Sequence, residues 1–187
     1  MWIFPVVIVI LLILILSVVW THPHGGPWIP SSRKAVRQML DLAEIKPDEL
    51  VYDLGCGDGR IIITAAIKYQ AQAVGIEIDP IRWLWCQFLI TILRLRGQVR
   101  IIYGDLFQQD LSEADVVVCY LLPETTKKLQ GKLLKELQPD TRVVSNTFIF
   151  PGIREVGKSG KARLYLFSEQ NTMAAYIKEQ LENSAGK

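Results

Sequence analysis

The sequence predicts an α/β fold in which a mostly parallel, doubly wound sheet of seven strands ends in a C-terminal β-hairpin. Short apolar runs alternate with segments of helical periodicity from residue 50 to residue 148, which is the pattern of parallel strands joined by crossover helices. A glycine-rich turn separates the first apolar run from the first crossover helix, where such folds commonly bind ligands. The stretch REVGKSGKARLYLF then alternates around Lys158, Ser159 and Gly160, which predicts the hairpin.

Composition narrows the class of protein. The chain has 187 residues, enough for one domain and a small appendage, and half of them are hydrophobic. Its formal net charge is +2, so a dedicated nucleic-acid binder is not expected. The cysteines Cys56, Cys86 and Cys119 are odd in number and lack metal-ligand spacing, which predicts reduced, buried thiols and no metal site.

Residues 1–20 are predicted to form a transmembrane anchor. Residues 2–20 are almost continuously apolar, and a helix of that length is about 28 Å long, which just crosses a bilayer. A cleavable signal peptide is the alternative, but no basic segment precedes the stretch and no small-x-small cleavage site follows it. The first basic residues, Arg33, Lys34 and Arg37, follow the anchor. This bias predicts a single-pass protein with the rest of the chain in the cytoplasm.

Residues 21–30 are expected to form a juxtamembrane connector, because their glycines and prolines cannot continue a helix. Within it, His22 and His24 fit a solvated loop better than half of a metal site. The catalytic domain is expected over residues 31–170 and a C-terminal tail over residues 171–187.

The elements of the domain follow one another with short connections. Ser31 or Ser32 is predicted to cap a first helix that Pro47 ends. In chain order the alternation predicts helix 33–45, strand 50–54, helix 60–70, strand 73–78, helix 80–96, strands 99–104 and 115–121, helix 124–137, strand 142–148 and hairpin 154–167. The carboxyl ends of parallel strands meet at one edge of the sheet, so a binding site is expected there.

The segment VYDLGCGDGR, residues 51–60, carries the strongest functional signal. Its glycines let the backbone approach a ligand closely. The spacing GxGxG lacks the third glycine of the dinucleotide fingerprint GxGxxG, which weakens an NAD or FAD interpretation. With Asp53, the segment resembles the D-h-G-x-G-x-G motif (h, hydrophobic) of class I methyltransferases, whose acid contacts the methionine part of S-adenosyl-L-methionine. The turn residues are the candidate cofactor contacts Gly55, Cys56, Gly57 and Gly59.

The next two strands each end in a carboxylate. Glu77, in AVGIEID, can accept hydrogen bonds from both hydroxyls of a ribose, and Ile78 can cover one face of an adenine. Asp105, in YGDLF, can accept the adenine amino group while Leu106 packs on the ring. An aspartate here is also an ordinary turn residue.

The fourth strand ends in CYLLP and faces the expected position of the reactive methyl group. Methyltransferases that modify amino groups of bases or of glutamine commonly carry NPPY here, and its absence argues against those substrates. We expect Tyr120 and Trp28 to line an acceptor tunnel, with Phe148 and Phe150 as further candidates. Aromatic residues at such positions are often part of the core.

With these motifs placed, the sequence resembles the archaeal and mitochondrial protein-lysine methyltransferases, class I S-adenosylmethionine-dependent enzymes that include those acting on the c-ring protein of ATP synthase and on the adenine nucleotide translocase. The resemblance runs from about residue 28 to residue 166 and is strongest in PWIPSSRKAVRQML, VYDLGCGDGRIIITAA, AVGIEID and VVSNTFIFPG. Several mitochondrial relatives are described as having an N-terminal hydrophobic segment. Trp28 replaces the tyrosine of the family's PYVP segment, and Asn146 stands where the archaeal enzyme has histidine.

The resemblance implies a Rossmann-like fold and methyl transfer from S-adenosyl-L-methionine to a lysine of a protein substrate, with a membrane protein as a candidate. Positioning supplies much of such a reaction, and an apolar tunnel favours the uncharged lysine, so no dedicated base is required. Two other functions stay open. One is methylation of a lipophilic small molecule such as a quinone, and the other is a scaffold that binds the cofactor without catalysis. Intact Asp53, Gly55, Gly57 and Glu77 speak against the scaffold.

The helix predicted over residues 80–96 is apolar on nearly its whole circumference, yet it is too short to cross a bilayer. Burial of the whole helix beside the sheet is one interpretation. The alternative hypothesis is that Trp83 and Trp85 rest on the membrane surface.

Overall fold

The computed structural model describes residues 4–5, 7–8 and 29–167. Residues 29–167 form an alternating series of helices and strands. In chain order these are α1 (Arg33–Leu42), β1 (Leu50–Leu54), α2 (Arg60–Tyr69), β2 (Gln72–Glu77), α3 (Pro80–Ile92), β3 (Val99–Tyr103), a 3-10 turn (Leu106–Gln108), β4 (Val116–Cys119), α4 (Pro123–Glu136), β5 (Thr141–Asn146), β6 (Glu155–Ser159) and β7 (Ala162–Phe167).

The strands form one seven-stranded sheet in the order β3-β2-β1-β4-β5-β7-β6. Strands β1 to β5 are parallel, whereas β7 runs antiparallel to both β5 and β6. The prediction of a mostly parallel sheet with a C-terminal hairpin is therefore confirmed, and the sheet as a whole is mixed. The strand order reverses between β1 and β4, and a crevice opens beyond the carboxyl ends of the strands at such a switch point.

Helices cover both faces of the sheet, which explains why the parallel strands are almost continuously apolar. Helices α1, α2 and α3 pack on one face around residues such as Met39, Ile62 and Cys86. Helix α4 packs on the other face through Leu129 and Leu133. The sheet thus lies between two separate hydrophobic clusters, and its carboxyl edge is positioned from both sides.

Residues with positive φ shorten three of the predicted helices. Helix α2 ends at Tyr69, one residue early, because Gln70 has a φ of 58°. Ser32 caps α1 by accepting a hydrogen bond from the Ala35 N–H at 3.1 Å, but α1 ends before the predicted residue 45 because Glu44 has a φ of 49°. Helix α3 ends at Ile92, and not at residue 96, because Arg94 has a φ of 57°. A left-handed residue cannot continue an α-helix.

Several strand boundaries also differ from the predictions. The predicted strand 115–121 is shorter in the structure, where β4 covers Val116–Cys119. Strand β5 ends at Asn146, two residues early, because Thr147 has a φ of 73° and turns the chain out of the sheet. The hairpin turn is formed by Gly160 and Lys161, one residue later than predicted, and Gly160 supplies its positive φ of 61°.

The helix after β2 is buried on one face only. Cys86 and Ile90 are the buried residues of α3, so burial around the whole helix is wrong. Trp83 is partly buried and packs against the core, with its ring centroid 5.7 Å from that of Tyr103, so it attaches the helix to the sheet. Trp85 is half exposed and stays available for the predicted membrane contact.

The predicted anchor lies outside the described residues except for residues 4–5 and 7–8, and most of the connector and the whole tail lie outside them too. Among the residues that the structure describes, no helix is both long enough and apolar enough to cross a bilayer. Cys56, Cys86 and Cys119 are free and buried, as predicted.

Candidate active site

A crevice at the carboxyl edge of the sheet brings the predicted site residues together. Every predicted cofactor residue except Gly59 lines it, together with the predicted acceptor residue Tyr120. The lining cofactor residues are Asp53, Gly55, Cys56, Gly57, Glu77, Ile78, Asp105 and Leu106. The sequence pattern therefore predicted a single site, although these residues come from three separate strand ends.

The turn between β1 and α2 needs glycine for two different reasons. Gly55 has a φ of 78°, and a Cβ there would lie 3.3 Å from the Leu121 side chain at the floor of the crevice. Gly59 has a φ of 77°, and its Cβ would lie 2.8 Å from the Cys86 Sγ. Gly59 therefore allows α2 to approach α3 closely and does not face the crevice.

Asp53 has a buried carboxyl oxygen that lacks a hydrogen-bond partner. It is 2% exposed, and its Oδ2 is buried without a hydrogen-bond partner. Burial, followed by the neighbouring carboxylates of Glu77 and Asp58, raises the pKa of Asp53 well above its ordinary value. A buried polar atom without a partner destabilises a protein, so this arrangement indicates a cationic or hydrogen-donating ligand.

Glu77 fixes the glycine turn as well as facing the crevice. Its Oε2 accepts a hydrogen bond from the Gly57 N–H at 2.8 Å, and its Oε1 accepts one from the Asp79 N–H at 2.8 Å. The Arg82 guanidinium lies 3.5 Å from Oε1. Burial raises the pKa of Glu77, and these three donors oppose the rise. Oε2 keeps a further lone pair for a ligand hydroxyl, so the predicted ribose role is compatible with this structural one.

Asp105 and Leu106 lie on the far side of the crevice. The Asp105 Oδ1 accepts a hydrogen bond from the Phe107 N–H at 2.9 Å and so caps the 3-10 turn, which is the ordinary turn role that the sequence left open. Leu106 is buried and offers an apolar surface beside Ile78 in the crevice lining.

One contact at the crevice rim was not predicted. The Arg60 side chain pairs with Asp58 and also donates a hydrogen bond to the carbonyl of Ser31. This contact holds the segment that precedes α1 against the glycine turn, so Ile29 and Pro30 line the rim. No sequence signal marks it, because Ser31 and Arg60 are 29 residues apart.

The predicted acceptor residues that the structure describes follow β4 and β5. Tyr120 stacks on Phe148, with ring centroids 6.3 Å apart and an interplanar angle of 22°. Phe150, also predicted to line the tunnel, does not. It is 2% exposed and meets Tyr165 edge to face in the core at 5.2 Å, because the chain folds back over β7 after Phe148. Trp28 lies outside the described residues.

Backbone strain occurs beside this aromatic pair. Thr147 is β-branched, and its φ of 73° is rare for such a residue. The Thr147 N–H donates to the Lys161 carbonyl at 2.8 Å, and the Ser145 hydroxyl donates to the Phe148 carbonyl at 2.6 Å. These bonds hold Phe148 toward Tyr120. Strained backbone that the surroundings enforce is common at functional sites.

Comparison with known proteins agrees with this geometry. The sequence model of a family described as the ANTKMT methyltransferase domain matches residues 53–157, more than half of the chain. A protein-lysine N-methyltransferase from Saccharolobus islandicus (strain REY15A) is 46% identical over 131 residues, which are 70% of this chain and 81% of that protein. The adenine nucleotide translocase lysine N-methyltransferase of Mus musculus is 31% identical over 137 residues, which are 72% of this chain and 58% of the mouse protein.

A solved structure shows the same fold. An RNA methyltransferase from Salinibacter ruber, crystallised in complex with S-adenosyl-L-homocysteine, matches with a TM-score of 0.70 and 38% sequence identity. The match covers 75% of this chain and 95% of that one. The fold is thus the Rossmann-like class I methyltransferase fold with seven strands, and this chain belongs to the ANTKMT methyltransferase domain family.

Proposed function

We propose that this chain is an S-adenosyl-L-methionine-dependent protein-lysine N-methyltransferase that acts at or near a membrane. The observation that carries the cofactor assignment is the buried, unpartnered Oδ2 of Asp53 in the crevice. S-adenosyl-L-methionine is cationic at its sulfonium and amino groups, so it supplies the partner that this carboxyl lacks. The lysine assignment is supported by the family and by the 46% identical relative, whose name specifies protein lysine.

The residues of the crevice fit this cofactor. Asp53 would bind its methionine part, Glu77 its ribose hydroxyls and Asp105 its adenine amino group. Ile78 and Leu106 offer apolar surface to the ring, and the glycine turn leaves backbone room beside them. When bound, the cofactor supplies a methyl group that its sulfonium already activates. The chain must then align an acceptor with that group and exclude water.

The acceptor lysine has to lose a proton before it can react. Both histidines of the chain, His22 and His24, precede the domain, so no histidine of residues 29–167 can act as the base. Tyr120 and Phe148 instead surround the acceptor position with aromatic surface, and removal of an ammonium group from water lowers its pKa. The Tyr120 hydroxyl can accept a hydrogen bond from the neutral amine and orient its lone pair.

The membrane location rests on the sequence before the domain. The apolar residues 2–20 support an anchor over residues 1–20, followed by a connector over residues 21–30, a cytoplasmic catalytic domain over residues 31–170 and a tail over residues 171–187. Alkaline carbonate extraction tests the anchor, since an integral protein stays in the membrane pellet. Protease added to the cytoplasmic side of the membrane should digest the domain, and protection of the domain would contradict the orientation.

The function is tested with the full chain in detergent, methyl-labelled S-adenosyl-L-methionine and a membrane fraction from the source cells. Wild type is compared with Asp53→Asn, which keeps the side-chain shape, and protein, lipid and RNA are separated afterwards. We expect label in protein, recovered as methyl-lysine after acid hydrolysis and lost in the variant.

The other outcomes each point to another acceptor. Label in the lipid extract alone would support a lipophilic small molecule. Label in RNA alone would assign this chain the acceptor class named for the Salinibacter ruber protein. Cofactor binding without any transfer would support the scaffold.

A further inference from the structure

One face of helix α3 is apolar and exposed to solvent. Five large side chains recur along it at helical spacing, with exposed fractions between 42% and 60%: Ile81, Leu84, Trp85, Phe88 and Ile92. At about 100° per residue they fall within one sector of about 100°. Cys86 and Ile90, on the opposite face, are buried against the sheet. The five exposed residues are called the α3 stripe below.

The α3 stripe has no role in the folding of the domain, because Cys86, Ile90 and Trp83 already attach the helix to the sheet. Contiguous exposed apolar surface of this kind marks an interaction site. We propose that the α3 stripe docks on the surface of an anionic lipid bilayer. The helix would then lie in the interface, as amphipathic helices with an apolar face do.

The charges around the stripe select an anionic surface. From residue 80 to residue 98 the sequence has no aspartate or glutamate, and its exposed charged residues are Arg94 and Arg96, directly after α3. A neighbouring groove between α1, α2 and α3 is lined by four basic residues and one acid, with apolar residues of α3 beside them: Arg33, Arg37, Arg60, Lys68 and Asp58. Asp58 pairs with Arg60 and Lys68 lies near Asp41, so, among the described residues, the unpaired basic side chains of the groove are those of α1. Arginine and lysine near the membrane are attracted to anionic headgroups, and Trp85 suits the same interface.

The length of chain before the domain also favours lipid. In this respect the inference rests on the proposed anchor. Only residues 21–28 separate the apolar residues 2–20 from Ile29. Fully extended, these eight residues span at most about 30 Å. Ile29 lines the crevice, as does Arg82 in the first turns of α3. The connector and the start of α3 therefore reach the same edge of the sheet, and docking would bring the crevice to the level of the membrane surface.

The N-terminal segment itself is a less suitable occupant. Its described residues Phe4, Val7 and Ile8 are exposed, and its apolar run is already assigned to the proposed anchor.

The test uses the full chain in phosphatidylcholine vesicles with or without phosphatidylglycerol. An environment-sensitive NBD probe is attached at Phe88→Cys or, as a matched control, at Lys127→Cys on exposed α4 at the other face of the sheet. The three native cysteines are buried, and the unsubstituted chain serves as the labelling blank. Lipids with a doxyl group near the headgroup quench any probe that reaches the interface.

We expect quenching at position 88 to exceed that at position 127 by at least about threefold in anionic vesicles. Adding Leu84→Ser and Ile92→Ser should abolish the difference while circular dichroism stays unchanged. Equal quenching at the two positions would overturn the proposal. Equal quenching with and without phosphatidylglycerol would contradict the preference of the stripe for an anionic surface. A blue shift that grows with protein concentration in detergent would assign the stripe to a second copy of the chain.

The readout is independent of the proposed function. Fluorescence reports docking whether or not lysine is the acceptor, so a chain that methylates nothing still tests the α3 stripe. Vesicle flotation, measured in parallel, separates a failed anchor from a failed contact.

Discussion

The two halves of the carboxyl edge are built in different ways. The cofactor half, formed by the ends of β1 and β2, is fixed by backbone donors to Glu77 and by close packing around the glycine turn. The proposed acceptor half consists of loop residues after β4 and β5 whose rings stack on each other. The geometry of the first half therefore depends on backbone hydrogen bonds and close packing, whereas that of the second depends on a few side chains. Substitutions in the first half should change cofactor affinity, and substitutions in the second should change the reaction with the acceptor.

The largest effect is expected from Asp53→Asn. The amide keeps the shape of the carboxyl but not its charge, so affinity for S-adenosyl-L-methionine should fall roughly 100-fold, about 3 kcal/mol. Isothermal titration calorimetry measures it. Asp140→Asn is the control, because Asp140 is exposed, lies outside the crevice and has a positive φ that asparagine accepts. Binding by Asp53→Asn within threefold of wild type would contradict the role given to this carboxyl.

Phe148→Ala tests the acceptor half alone. Phe148 does not line the cofactor crevice, so we expect unchanged cofactor affinity and a fall of roughly 30-fold in kcat/KM for the acceptor, about 2 kcal/mol. Steady-state kinetics with calorimetry on the same preparation separate the two quantities. Loss of cofactor affinity in this variant would show that the halves are not independent.

Gly75→Ala tests how tightly the cofactor half is packed. A Cβ at Gly75 would lie 2.7 Å from the Cys56 Sγ and 2.8 Å from the Ile62 Cδ1, so overpacking should lower the free energy of unfolding by about 1–3 kcal/mol. Gly131→Ala is the matched control, because nothing lies within 4 Å of a Cβ there. In helix α4 this change should raise stability by up to about 1 kcal/mol. Urea unfolding compares them, and equal effects would contradict the packing argument.

The smallest effect is a pH dependence of stability without cofactor. Burial raises the pKa of both Asp53 and Glu77, so the folded chain binds these protons more tightly than the unfolded chain does. Their contribution to stability is present below the ordinary carboxyl pKa and is lost as the pH rises through the raised values, by at most about 1.4 kcal/mol per pH unit for each proton.

Urea unfolding between pH 5 and pH 8 measures this slope. Asp53→Asn should lose less stability over that range than wild type, and saturating cofactor should reduce the wild-type slope, because a bound cation favours the ionised carboxyl. A steeper slope in the variant would contradict the sign.

The grouping of the predicted cofactor residues in one crevice could be read from the sequence, because their information is local. Residues 53–59 form one motif, and Glu77 follows at the end of the next strand. The pattern could not show that Gly59 serves the contact with Cys86, or that Glu77 also holds the turn, because both depend on how α2, α3 and β2 pack.

The acceptor half was only partly predictable, because it depends on the path of a loop. The prediction for Phe150 was wrong, since a single positive φ at Thr147 sends the next residues back over β7. The same kind of residue, Arg94, shortened α3. Neither Thr147 nor Arg94 is a residue type that signals a left-handed conformation, so sequence alone gave no warning.

The separation of the two halves bears on how such enzymes diversify. Phe148 lies beyond the last paired residues of β5 and does not line the cofactor crevice, so it can be exchanged without disturbing the sheet or the donor chemistry. A duplicated copy of this chain would need few changes, all in surface loops, to explore new targets. Changes in these loops would alter which acceptor is methylated and leave the binding of the methyl donor unchanged.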